Sequence, residues 1–314
     1  MKLTVLSVCA SWETMVQVDD MKAIETIFDS HEPLETEANE RLDRMRDEIL
    51  RLDLARNIVE LELYGYTIVD DVKPLSFFDE LRETILKLGE EDRQADRRIP
   101  LAGPDGNSYL VPWLMARGRI FEEALMAEKP LALITWLMGE SCQLSSNHAH
   151  VRVEGDPPQI IHSDAALVPE PLPVAPVASN SMWVTDEFSL EGGATMVVPG
   201  SHKRLSAPTP EASKMVIPVK AKKGSVVVFN GNLWHGAGAR KIPGERVGMT
   251  LYFNRMYVRP QEDLNSLISD EVVARNPPRF AHLIGRNNPF PAKEYGWFNP
   301  KGAPFYGPTK DQRG

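Results

Sequence analysis

The feature that most constrains this chain is a change of period at Gly139. Before it, apolar residues recur at three- and four-residue spacing, as in Leu42, Met45, Ile49 and Leu52, or Phe78, Leu81, Ile85 and Leu88, which is the stripe of an amphipathic helix. After it, short runs rich in β-formers alternate with Gly, Pro and Asn, at 142–153, 159–164, 181–187, 194–198, 215–220, 224–229 and 246–258. Helices followed by many short strands predict a β-sandwich or barrel with supporting helices.

The helical half predicts one long helix over 37–63, a short strand in "YGYTIVDDV" (64–72), and a helix from Leu75 stopped by Gly89. Residues 90–108 read as a polar surface connection, and 118–127 and 130–139 as two further helices. A short helix is expected near 265–274 in a Pro-rich tail. Pro169, Pro171, Pro173 and Pro176 make an extended loop just after a His-x-Asp pair. The resulting division is a helical extension at 1–60, a β-rich domain with helical support at 61–260, and a C-terminal extension at 261–314.

A formal net charge of −9 argues against a nucleic-acid surface, which needs an excess of Lys and Arg. The two cysteines, Cys9 and Cys142, cannot form a disulfide framework and fit a reducing cytoplasm. The opening "MKLTVLSVCASWE" has one Lys and an apolar run of only Leu3–Val8, short for a secretory core, and a start at Met15 or Met21 would also be ordinary. No run reaches the length of a membrane span. A cytoplasmic protein with a small-molecule ligand, no nucleic-acid partner and no membrane partner is expected.

The chemistry concentrates in three places. "QIIHSDA" sets His162 and Asp164 two residues apart, on one face if the segment is a strand. "KKGSVVVFNGNLWHGAGAR" is a strand, a tight Asn-Gly-Asn turn and then Trp234-His235, with Gly236 and Gly238 allowing close backbone approach. "RVGMTLYFN" then alternates so that Arg246, Gly248, Thr250 and Tyr252 share a face. An Arg among such neighbours suits an anion clamp in a pocket wall, or else a solvated strand end paired with Glu245.

Taken in order with "GYTIVDDV" and "GGATMVVPGSHK", these segments resemble the phytanoyl-CoA dioxygenase family over roughly residues 60–260. The resemblance implies a double-stranded β-helix (jelly roll) and an iron(II)- and 2-oxoglutarate-dependent oxygenase that uses O2. It implies His162, Asp164 and His235 as iron ligands, Arg246 for the distal carboxylate of 2-oxoglutarate, and Trp183 beside that cosubstrate. Many members carry a Ser two residues after the second His; here it is Ala237, and Thr250 is the candidate substitute. A two-His, one-carboxylate face leaves positions open for cosubstrate and O2. The carboxylate at position 164 favours hydroxylation of a small to medium-sized metabolite over halogenation. His150 and Asn147, on the preceding strand, are candidate substrate contacts.

A rival set lies in "NHAHVRVEG". His148, His150 and Glu154 have the H-x-H-x3-E spacing of a cupin, with His235 as fourth ligand and no 2-oxoglutarate. A third reading is a jelly-roll binding protein without chemistry.

Overall fold

The computed structural model describes residues 36–102, 107–165 and 168–286. Two helices come first, α1 (Thr36–Arg51) and α2 (Ala55–Tyr64), followed by β1 (Tyr66–Val69) and α3 (Leu75–Gln94). Strands β2 (Ile99–Ala102) and β3 (Ser108–Val111) lead to α4 (Arg119–Leu125) and α5 (Glu128–Met138). The β-rich part holds β4 (Gln143–Arg152), β5 (Ala178–Val184), β6 (Thr195–Val197), β7 (Ile217–Pro218), β8 (Val226–Asn230), β9 (His235–Ala237) and β10 (Arg246–Asn254). Three short helices close the described chain: α6 (Leu264–Leu267), α7 (Asp270–Ala274) and α8 (Pro278–Leu283).

The strands form a seven-stranded antiparallel sheet, ordered β1-β8-β5-β10-β4-β3-β2, and a three-stranded sheet, ordered β7-β6-β9. This is the jelly roll that the family resemblance implies, and it agrees with the β-sandwich or barrel on supporting helices that the period change predicts. Strand β10 sits between β5 and β4 at the centre of the large sheet and is buried on both faces. Its odd positions, Val247, Met249, Leu251 and Phe253, join the helix-side core with Trp183, Phe78, Leu81, Ile85, Phe121, Leu133 and Ile134. Its even positions face the interior between the sheets, where Val184, Phe188, Val197, Val227, Phe229 and Leu233 make a second, smaller core. No helix among the described residues is long and apolar enough to cross a membrane.

The helical region departs from the sequence reading in three ways. The expected single helix over 37–63 is two helices, broken around Asp53, whose φ is +55°. The break re-phases the apolar stripe, because Ile49 and Leu54 are five residues apart yet both are buried in the same core. Gly89 does not stop α3, which continues to Gln94. It is instead a packing site: a Cβ there would lie 2.5 Å from the Tyr109 ring. The segment expected as surface connection therefore continues α3 and then supplies β2 and β3 at the sheet edge. Strand β9 and helix α8 carry no period in the sequence and were not expected.

Strand β4 contains a bulge that organises the chain after β10. Tyr252 pairs with Ser146 and Phe253 with Leu144, leaving Ser145 extra. Its carbonyl and hydroxyl accept from Glu262 N and Gln261 N at 2.8 and 3.0 Å. The Glu262 carboxylate accepts from Trp113 N and Asn147 N, both at 3.1 Å. It thereby caps β4 beyond Ala149, the last residue β3 pairs with. Burial pushes this carboxyl up to about 7, against the lowering effect of its two N–H donors.

Two consequences are measurable. Gly89→Ala gains about 1 kcal/mol of helix propensity but forces Tyr109 to move, an overpacking penalty of about 1–3 kcal/mol, so denaturant unfolding should show a net loss of stability. A carboxyl raised from 4.5 to about 7 on folding makes its relative contribution full below pH 4.5 and lost as pH rises to about 7. The stability difference between wild type and Glu262→Gln, measured by urea melts, should therefore shift against the wild type from pH 4.5 to 7; a flat difference would contradict the burial argument.

Candidate metal centre

The site is built by two short extended segments that meet outside the regular sheets. His162 and His235 form an antiparallel bridge in which each backbone N–H donates to the other residue's carbonyl, at 2.8 and 2.9 Å. The pairing brings the imidazoles to a centroid separation of 4.4 Å. Each ring then makes the same second contact. His162 Nδ1 lies 3.0 Å from Ile160 O, and His235 Nδ1 lies 2.9 Å from Leu233 O. A carbonyl only accepts, so each Nδ1 carries the proton and each Nε2 keeps a free lone pair. Burial lowers the pKa of His235, with Asp164 opposing, which favours its neutral form.

Both Nε2 atoms face Asp164. His162 Nε2 is 3.7 Å from Oδ1 and His235 Nε2 is 3.7 Å from Oδ2. The three side chains offer ligand atoms that all lie within 4.8 Å of one another, and they are the one such His, Cys, Asp or Glu group among the described residues. The sequence reading put His162 and Asp164 on one face of a strand. In the structure only His162 is strand-like, and the chain turns at Asp164. That turn is pinned by Gly231 O, which accepts from Ala165 N and Ser163 Oγ at 3.1 and 2.9 Å, and by Tyr252 Oη, 3.3 Å from Asp164 O. Gly231 is itself held against the start of β5, where a Cβ would lie 2.4 Å from Ala178 O.

The group opens onto a cavity of about 380 Å3 between the two sheets. Arg246 and Thr250 line it, as their alternation predicts, and so does Tyr252. Arg246 is 2 % exposed and does not pair with Glu245, which lies instead 3.8 Å from Arg82. Its guanidinium stacks 4.4 Å from the Phe188 ring centroid, donates to Gly193 O, and leaves Nε without a partner. Burial, reinforced by Arg152 and Arg240, pushes its pKa down to about 9. A buried cation with no carboxylate beside it is a strong attractor for an anion. Arg152, also lining the cavity, has its charge matched by Asp156 and donates to the carbonyls of Gly238 and Pro157, each at 2.7 Å.

Two of the residues singled out in the sequence lie elsewhere. Trp183 is fully buried on the helix side of β5, its ring 5.5 Å from Phe78 and 5.8 Å from Phe77; Met182, its neighbour, takes the cavity side. Asn147 pairs with Leu251 and also faces the helices, where its Nδ2 donates to Thr250 O at 3.0 Å. In both cases strand alternation decides, and a shift of one residue reverses the face. His150 lines the cavity with His148, their ring centroids 4.9 Å apart. Burial pushes His148 down to about 4 and His150 well below the ordinary imidazole range, so both are neutral at pH 7. Glu154 is exposed and does not join these histidines, so the cupin set is not assembled.

Sequence reasoning missed Asn180, whose Nδ2 donates to Asp164 Oδ2, and Gln261, which reaches the cavity from beyond β10. Neither had a period or motif to mark it. Gln159, three residues before His162, lines the cavity too, and its Oε1 accepts from Ala237 N at 3.2 Å.

Comparison with known proteins gives this geometry a context. An uncharacterized protein of Mycobacterium tuberculosis, Rv1501, is 26% identical over 263 residues, covering 81% of this chain and 90% of its own. Dioxygenase af480 of Aspergillus fumigatus is 25% identical over 251 residues, covering 77% and 79%. Two solved structures share the fold: EctD from S. alaskensis with bound Fe, at a TM-score of 0.55, 19% identity and coverage of 66% and 79%, and HygX from Streptomyces hygroscopicus with nickel and 2-oxoglutarate bound, at 0.52, 16%, 65% and 88%. The profile of the phytanoyl-CoA dioxygenase (PhyH) family matches residues 39–248, a stretch that holds the paired histidines, Asp164 and Arg246. On that match over more than half its length, the chain belongs to the phytanoyl-CoA dioxygenase family.

Proposed function

We propose that this protein is an iron(II)- and 2-oxoglutarate-dependent oxygenase that hydroxylates a C–H bond of a small to medium-sized metabolite in the cytoplasm. One observation carries the reading. Two imidazoles with their Nε2 lone pairs free converge with a carboxylate at one end of a cavity, and a buried, unmatched guanidinium waits in the same cavity. Family membership supports it, as do structural neighbours solved with iron, or with nickel and 2-oxoglutarate.

The residues present fit both the metal and 2-oxoglutarate. Two imidazoles and one carboxylate are the donor set of a facial triad, so His162, Asp164 and His235 would hold the metal. The orphaned Nε of Arg246 marks donor capacity that a distal carboxylate would use in a paired geometry. Thr250 Oγ1 has only the Met182 thioether at 3.5 Å, a weak acceptor, and is free to turn to the same carboxylate. When bound, the metal and cosubstrate supply oxidative decarboxylation by O2 coupled to substrate oxidation, with release of succinate and CO2. The chain's own residues bind and orient. His150, neutral and on the cavity wall two residues from Arg152, offers a hydrogen bond without adding charge. With Asp164 in place all three protein positions of the triad are filled, which favours hydroxylation over halogenation. Residues 61–260 would form the oxygenase domain, with flanking extensions at 1–60 and 261–314.

Anaerobic titration of iron(II), then 2-oxoglutarate, into metal-free protein tests this directly. The weak visible metal-to-ligand charge-transfer band should appear with the wild type and be absent with Asp164→Ala and His235→Ala. Undiminished band and turnover in Asp164→Ala would remove the triad from consideration. Arg246→Ala should retain iron but lose a charge-assisted carboxylate contact worth about 2 kcal/mol, which weakens 2-oxoglutarate roughly 30-fold. Unchanged 2-oxoglutarate affinity would place its carboxylate elsewhere.

A further inference from the structure

Among the described residues the Asp164 carboxylate accepts one hydrogen bond, from Asn180; the two imidazole Nε2 atoms it faces lie 3.7 Å away and do not donate to it. Asn180 lies on β5, opposite Phe229 on one side and Tyr252 on the other, with its side chain on the cavity face and 5 % exposed. A carboxylate that serves as a ligand only accepts, so the amide must present Nδ2 to it. The other contacts of the turn, from Gly231 and Tyr252, hold its backbone and leave the carboxylate free to rotate. Among the described residues, Asn180 is the group that hydrogen-bonds the carboxylate and so acts on that last torsion. It donates to Oδ2, the oxygen nearer His235, while Oδ1 faces His162.

Resting on the metal-centre reading above, we propose that Asn180 is a positioning residue for that centre. By occupying one lone pair of Asp164 Oδ2 it fixes the plane of the carboxylate toward the point that both Nε2 atoms face. A rigid β5, held by β8 and β10 on its two edges, makes this support stiffer than the turn that carries Asp164. The Asn180 Oδ1 atom, buried and without a partner, is the acceptor left over once the amide has turned its donor to the carboxylate.

The test uses cobalt(II) as the probe, titrated anaerobically into metal-free full-length protein, with the visible band of bound cobalt as a second readout. Asn180→Ala and the volume-matched Asn180→Leu should bind cobalt about 10–100-fold more weakly, as expected on loss of a partner that orients a ligand. At saturation their cobalt band should also differ in shape from the wild type. Ser181→Ala, on the opposite face of the same strand, should leave both unchanged. Thermal melting of the metal-free proteins identifies any variant that fails for lack of folding. Wild-type affinity and band in either folded Asn180 variant would overturn the inference. If Asp164→Ala itself binds cobalt like the wild type, the metal-centre reading falls and this one with it; if Asp164→Ala loses cobalt and the Asn180 variants do not, this one alone falls.

Discussion

The pair of backbone hydrogen bonds between His162 and His235 is the constraint from which the site follows. It joins two segments separated in sequence, sets their rings side by side, and leaves each Nδ1 beside a carbonyl two residues earlier in its own segment. The tautomer of both histidines is thus set by main chain alone, before any ligand arrives. A site made this way needs little from its surroundings except a third donor and a dry wall. The turn at Asp164 supplies the former and the even face of β10 the latter.

Burial gives the far end of the cavity its character. A guanidinium placed on an edge strand would be one solvated cation among many and would be worth little. Arg246 instead begins the central strand, under Phe188 and within reach of Arg152 and Arg240. Gly248, next on that face, packs most closely against Met182, whose Sδ would lie 3.2 Å from a Cβ there. Arg152, the other cation lining the cavity, is matched by Asp156, so the electrostatic pull of the cavity wall comes mainly from one residue.

Much of this was legible in the sequence, for identifiable reasons. The period change at Gly139 predicts helices followed by a β-sandwich or barrel, and the family resemblance that "QIIHSDA", "NLWHGAG" and "RVGMTLYFN" help to carry implies the jelly roll and names the residues that the fold brings together. What failed was local phase. The family resemblance put Trp183 beside the cosubstrate, and Asn147 was a candidate contact on the preceding strand; one step along a strand exchanges the faces, and both side chains face the helices. Gly89 reads as a helix stop unless the Tyr109 ring that needs its space is known. Asn180 and Gln261 are recognised only by what they touch, and those contacts join residues 16 and 115 positions apart in the chain.

Strand β10 serves two masters by parity. Its odd residues are the floor of the helix-side core and its even residues are the wall of the cavity, with no position left to solvent. The genetic consequence is an unusual asymmetry in what the gene can tolerate. Length changes in the connections around the barrel shift surface loops, whereas loss or gain of a single codon inside Arg246–Asn254 would swap Met249 for Thr250 across the sheet and send the guanidinium into hydrocarbon. Stability and chemistry would be lost in the same event.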